Sequence, residues 1–255
     1  MDDLPMLSLD SDAEHPPRAE AGCAVPSGRH ETVGFSLAPE VAALGVEVAT
    51  LAIGGLRNRR SDPAFDAVFT EAIAAIAAGA KAEDLPGDPV LRGFRELHDA
   101  IKRSNSRFLA APENLLRLLL QRGSAPRVNL LVDIYNLVSM QTHLALGAHD
   151  LSKLEGDVAL RLSRGGEKFH PLGIAEPTSV GPGEYGYFDA VEVICRLEVR
   201  QAEKTKVTEE TTEAFFIVQG NRRTPPALFH QAVDELVRLV ATHCMGKTRI
   251  IRLPG

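Results

Sequence analysis

From Gly45 onward the spacing of apolar residues divides the chain into recognisable elements. GVEVATLAI, residues 45–53, alternates like a half-buried strand and stops at Gly54-Gly55. Asp62-Pro63 then supplies a cap and a proline at the first helical position, and an Ala-rich run predicts a helix to about 78. Two further helices are expected over about 88–103 and 112–122, the second opening at Pro112 and closing at Gly123. LLVDIYNLVSM, residues 130–140, predicts another, with Leu130, Leu131, Ile134, Leu137 and Val138 on one face. Asn129, Asp133 and Asn136 are spaced i, i+4, i+7 and form a polar stripe beside that face, which on spacing alone is exposed. Short strands follow over about 144–147, 157–163, 167–171, 189–200 and 213–219, separated by Gly and Pro. An amphipathic helix from Pro225 to about Gly246 and a strand over 248–253 end the chain.

Helices thus come first and sheet second, with no internal repeat and no linker past about residue 40. That order predicts an α+β fold with N-terminal helices packed on a mixed, mainly antiparallel sheet, as one domain over 33–255. Within residues 1–32, Asp2, Asp3, Asp10, Asp12, Glu14 and Glu20 outnumber Arg18 and Arg29 among prolines and few large apolar groups. Such composition predicts a disordered acidic tail.

Composition then narrows the classes of function. With 255 residues, 44% hydrophobic and 24% charged, the chain has an ordinary globular balance. No run of about 18 apolar residues is present, and the N-terminus is acidic where a secretory leader is basic and then apolar. The expectation is a cytoplasmic protein with no membrane partner. The three cysteines, Cys23, Cys195 and Cys244, have no ligand spacing, so neither a metal centre nor a disulfide framework is expected. GPGEYG, 181–186, matches a dinucleotide pattern but precedes a strand, where pyrophosphate binding needs a helix N-terminus; it reads as a turn, and no cofactor is expected.

A net charge of -6 argues against a strong, sequence-blind nucleic-acid binder. Locally the balance reverses: residues 91–130 carry eight basic against three acidic side chains, among them Lys102, Arg103 and Arg107. Arg57, Arg59 and Arg60 form a second basic cluster, Arg222-Arg223 a third, and Lys204 and Lys206 lie in a threonine-rich segment.

The pieces RVNLLVDIYNLVSMQTHLALGAHDLSKLEGDVALRLSRGGEKFHPLG, 127–173, and CRLEVRQAEKTKVTEETTEAFFIV, 195–218, carry a more specific signal. At these residues the chain resembles the editing module, the paired third and fourth B domains, of the phenylalanyl-tRNA synthetase beta subunit, and most of all its free-standing relatives. Val132-Asp133 and Asn136 fall where that module has V-D-x-T-N-Y-V. Asp150, Leu154-Glu155-Gly156 and Arg161 fall on D-x-x-x-I-E-G-x-x-x-x-R, Glu167 and Leu172 on G-E-x-x-x-x-L-D-G, and Thr205 to Thr211 on S-x-V-x-x-x-T. The likeness holds over roughly 90–220, and nothing resembles an anticodon-binding or aminoacylation domain, so charging of tRNA is not expected.

The resemblance implies binding of aminoacyl-tRNA, or its aminoacylated end, with hydrolysis of a mischarged ester in trans. The alternative is a non-catalytic RNA- or small-molecule-binding module on the same fold. Asn136 is implied to face the aminoacyl pocket, with Asn129 on the same stripe and Arg161 in the matched motif. Glu176 lies near a glutamate that reads the amino acid, and Arg196 or Arg200, on the alternating run 191–200, suits a carboxylate or phosphate. Thr205 and Thr208 fall on a turn implied to line the pocket. The module's histidine aligns with Gly147; His149, two residues on and about 7 Å away along a strand, keeps the same face and is the candidate base. Arg57, Arg59, Arg60, Lys102, Arg103, Arg107, Lys204 and Lys206 are the candidate RNA contacts.

Overall fold

The computed structural model describes residues 28–254 of the chain. The elements run α1 (Arg29–Thr32), β1 (Phe35–Leu37), α2 (Pro39–Leu44), β2 (Val46–Gly54), α3 (Pro63–Gly79), α4 (Pro89–Ala100), α5 (Ala111–Arg122) and α6 (Leu130–Thr142). Then come β3 (Ala145–Asp150), β4 (Val158–Leu162), β5 (Glu167–Phe169), β6 (Thr178–Val180), β7 (Tyr185–Phe188), β8 (Val193–Arg196) and β9 (Arg200–Gln201). β10 (Glu213–Asn221), α7 (Pro226–His243) and β11 (Lys247–Arg252) complete the fold. No helix among the described residues is long and apolar enough to cross a membrane.

The fold is α+β, as expected, but its strands form two principal sheets. One is antiparallel in the order β11-β2-β10-β3; the other runs β1-β4-β7-β8-β9, parallel only between β1 and β4. β5 and β6 pair separately. The β2–β10 pairing, Val46 opposite Asn221 through Gly54 opposite Glu213, is the spine of the core. β2 was expected to be half-buried, yet all of it except Glu47 is buried. Covered on both faces, a central strand needs apolar residues throughout, so its weak alternation carried no exposed side.

Helix starts follow from local chemistry. Asp62 accepts from the Phe65 N–H at 2.9 Å, Asp88 from Val90 and Leu91 at 3.0 Å, and Asn129 from Val132 at 3.1 Å, each satisfying donors that the first turn leaves free. Pro63 and Pro89 occupy first helical positions, where a missing N–H costs nothing.

Three further expectations change. Residues 1–27 of the expected tail lie outside the described residues, but its last part is the helical turn α1: the Arg29 N–H donates to Glu213 at 3.0 Å, and Arg249 Nε donates to the His30 carbonyl at 2.7 Å. The single strand expected over 189–200 is two short strands. Asp189 folds a turn by accepting from Val191 and Glu192 at 2.9 Å, and Leu197 takes a left-handed φ of 54°, so Val191 is 64% exposed while Leu197 is buried. The stripe on α6 is not an exposed face: Asn129 and Asp133 are buried, and only Asn136 is half-open.

Candidate functional site

A cavity of about 450 Å³ lies where the two sheets meet α5 and α6, a volume within the ordinary range for small-molecule sites. Its floor comes from the antiparallel register of β3 and β10. Ala145 lies opposite Gln219 and Gly147 opposite Ile217, and the two-residue period of a strand puts these four and His149 on one face. α6 contributes Tyr135 and Asn136. Tyr187 and Cys195 on β7 and β8, with residues 198–201, close the far wall, and exposed Arg107 and Arg200 stand at the mouth.

Glu198, 2% exposed, is the one carboxylate on the wall. It meets His98 Nε2 at 2.6 Å, accepts from the Tyr185 hydroxyl, and lies 3.3 Å from Gln219 Nε2. Gln219 Oε1 in turn accepts from the Tyr187 hydroxyl at 2.6 Å. The other ring nitrogen of His98 faces Asn105 Oδ1 at 3.2 Å, so both nitrogens of His98 point at acceptors. Burial opposes a charge on this ring, but the charge and hydrogen bond of Glu198 outweigh it and hold His98 above the usual imidazole value. The carboxylate on the wall therefore favours a proton on the ring behind it, and the two arginines leave the mouth positive.

His149 differs. Burial pushes its imidazole down to about 3, with only a small opposing effect of Asp189. Its Nδ1 lies 2.7 Å from the Thr205 hydroxyl and 3.2 Å from Gln201 Nε2, which also donates to the Ala148 carbonyl. Two donors on Nδ1 assign the proton to Nε2. At neutral pH His149 is thus a fixed hydrogen-bond donor; the general-base role expected for it needs a titration nearer neutrality. Burial also drives the Cys195 thiol up to about 12, which removes it as a nucleophile.

Of the expected catalytic and substrate residues, Asn136, His149 and Arg200 line this cavity, and of the expected RNA contacts Arg107 does. Asn129 caps α6 and spans to Asn58 at 3.0 Å and the Val207 carbonyl at 3.2 Å, so its polar groups are spent on structure. Arg161 bonds Glu167 at 3.2 Å and lies over the Phe188 ring at 3.6 Å. Arg196 and Arg103 converge on buried Glu184, whose carboxyl they hold below its usual value against the effect of burial. Glu176 sits in an exposed loop. Thr205 is buried behind His149, and Thr208 belongs to a turn in which its N–H donates to Thr211.

The expected RNA contacts divide similarly. Arg59 pairs with Asp62, Arg60 donates to the Val128 carbonyl, and Lys206 pairs with Glu203. Lys204 is held by Glu155 at 2.7 Å and Asp189 at 3.0 Å. Arg57, Arg60, Lys102 and Arg107 have no carboxylate partner among the described residues. Arg103 and Lys204 meet carboxylates distant in sequence, which spacing could not reveal, whereas Arg59 and Lys206 pair with carboxylates three residues away in the chain. Tyr135, Glu198, Gln201 and Gln219 were missed because only the tertiary fold brings their three segments together. Among the described residues no group of His, Cys, Asp and Glu could hold a metal ion.

Of the comparisons with known proteins, the family model is the one that shows the family. No curated protein matches the chain. Among solved structures it is similar to an N-terminal fragment of the phenylalanyl-tRNA synthetase beta subunit from Pyrococcus horikoshii, at 15% identity and a TM-score of 0.47, over 87% of this chain and 52% of that one. The chain therefore spans about half the length of that fragment. The family model of the B3/4 domain matches residues 100–245, more than half of the chain and the span that carries the cavity. The chain belongs to the B3/4 domain family, as a relative of the phenylalanyl-tRNA synthetase beta-subunit module.

Proposed function

We propose that the cavity binds the aminoacylated end of a tRNA, with the amino-acid moiety inside and the terminal nucleotide at the mouth. One observation carries the reading. The Asn136 amide and the Tyr135 hydroxyl line the cavity with no hydrogen-bond partner among the described residues, and the N–H of His149 is likewise unused. These groups open onto a concave hollow and are not engaged by the protein, so they are free to meet a polar ligand that enters it. Arg107 and Arg200 would meet its phosphate, for which the guanidinium fork is well shaped.

In such a complex the His149 Nε2–H and the Asn136 amide would donate to the ester carbonyl, polarising it and stabilising negative charge as water attacks. His149, held near 3 by burial, is not a base near neutral pH, so proton removal would fall to water or to a hydroxyl of the substrate's ribose. The burial of His149 supports a second reading, in which the cavity binds and does not hydrolyse.

The test is to incubate the protein with tRNA charged separately with each amino acid, and to measure both ester loss and retention of charged against uncharged tRNA. Loss of one ester above the spontaneous rate supports trans-editing, and tighter retention of charged tRNA without loss supports the binding module. Equal retention of charged and uncharged tRNA with no ester loss would remove the aminoacyl end from the proposal.

A further inference from the structure

Gly147 stands in the middle of β3, where glycine is less favourable than alanine and where three structural reasons commonly account for it: a bulge, a left-handed backbone, or close approach of other atoms. The first two fail here. The β3–β10 register runs without a shift from Ala145 opposite Gln219 to Asp150 opposite Ala214. Gly147 is not among the residues of positive φ. Close approach by the protein itself fails as well, because a Cβ built at this position meets no heavy atom within 4 Å. The open space is the cavity, which Gly147 lines between Ala145 and His149 and opposite Ile217.

We propose that Gly147 is the specificity-determining residue of the cavity: the ligand lies directly on the bare main chain there, in depth that any side chain at 147 would take away. The neighbouring surfaces of Ala145 and Ile217 are apolar, so the part seated there is an apolar amino-acid side chain larger than a methyl group. The polar groups on His149, Tyr135 and Asn136 remain for the carbonyl and amine. This inference rests on the aminoacyl reading of the cavity.

The experiment uses adenosine analogues carrying a glycyl, alanyl, valyl or leucyl group through a 3′-amide that cannot be hydrolysed. Their affinities are measured by calorimetry for the natural protein, Gly147→Ala and Gly147→Val, with thermal melts of all three. The natural protein is expected to hold leucyl more tightly than glycyl. Gly147→Val should bind leucyl about tenfold more weakly or worse, Gly147→Ala should lie between, and glycyl affinity should change by less than about threefold. Both variants should melt no lower than the natural protein, since the space is free. Leucyl binding unchanged in Gly147→Val, with the natural protein binding the series, would overturn this inference alone; no binding of any analogue to the natural protein would overturn the aminoacyl reading with it. A variant that fails to fold would contradict the open space itself and overturn the inference too.

Discussion

Glu198→Gln is the most informative single change, because Glu198 joins the cavity wall to the core. Its carboxylate meets three donors, His98 Nε2 at 2.6 Å, the Tyr185 hydroxyl and Gln219 Nε2, in a setting where His98 is 1% and Glu198 2% exposed. Glutamine keeps one acceptor oxygen and puts an NH₂ where the other stood, which a protonated His98 cannot accept; only the neutral ring with its proton on Nδ1, toward Asn105, can pair with that NH₂. Leaving a buried donor unpaired costs about 1–3 kcal/mol, and breaking a buried ion pair by removing one partner about 3–5 kcal/mol. A loss of about 3 kcal/mol lowers the melting temperature by roughly 6–12 °C for a domain of this size. Far-UV circular dichroism is the suitable probe, since the chain has no tryptophan.

The pH dependence sharpens the test. His98 is held above its usual value in the folded protein, so the pair stabilises fully below the unfolded imidazole value of about 6.5, and that contribution is lost as pH rises through the folded value. In Glu198→Gln, burial, the largest single influence on His98, is opposed only by the hydrogen bonds of Asn105 and the Phe108 backbone and is expected to depress it, so the variant itself loses stability as pH falls below about 6.5. The gap between the two proteins is therefore widest near pH 5.5 and narrows toward alkaline pH; His149 titrates alike in both and cancels. Equal melting temperatures at pH 5.5, or a gap that grows with rising pH, would refute the reasoning.

Three further outcomes are expected. Binding of an aminoacyl analogue between pH 5 and 8 should show no inflection that His149→Gln removes, because His149 titrates near 3; an inflection near 6.5 abolished by that substitution would restore the general base. Asn129→Ala should lower unfolding free energy in urea by about 1–2 kcal/mol through loss of the α6 cap, with ligand affinity unchanged; a tenfold loss of affinity at full stability would return Asn129 to the site. With Arg57, Arg60, Lys102 and Arg107 free of any carboxylate among the expected RNA contacts, the slope of log affinity against log salt for a single-stranded RNA should be about -3. A slope of -5 or steeper would mean that the ion pairs at Arg59, Arg103 and Lys204 open on binding.

The sequence by itself determined the elements whose causes are local. Asp62, Asp88 and Asn129 with their following residues placed three helix starts, because a cap and its first-turn N–H groups are neighbours in the chain. The motifs around Asp133, Asn136 and Asp150 likewise pointed to the family and to an α+β fold. What depends on distant partners was decided only by tertiary structure. The i, i+4, i+7 spacing put Asn129, Asp133 and Asn136 on one stripe, but burial sent them to three tasks: a cap, a pair with Arg127 at 2.6 Å, and the cavity. The alternation across 189–200 could not register the turn at Asp189 or the left-handed Leu197, which break the strand and bring Glu198 and Arg200 to the cavity wall while Arg196 turns to Glu184. A formal charge is written in the sequence, whereas its availability to a ligand depends on whether a folded neighbour already neutralises it, and for Arg103, Arg196 and Lys204 that neighbour lies on another element.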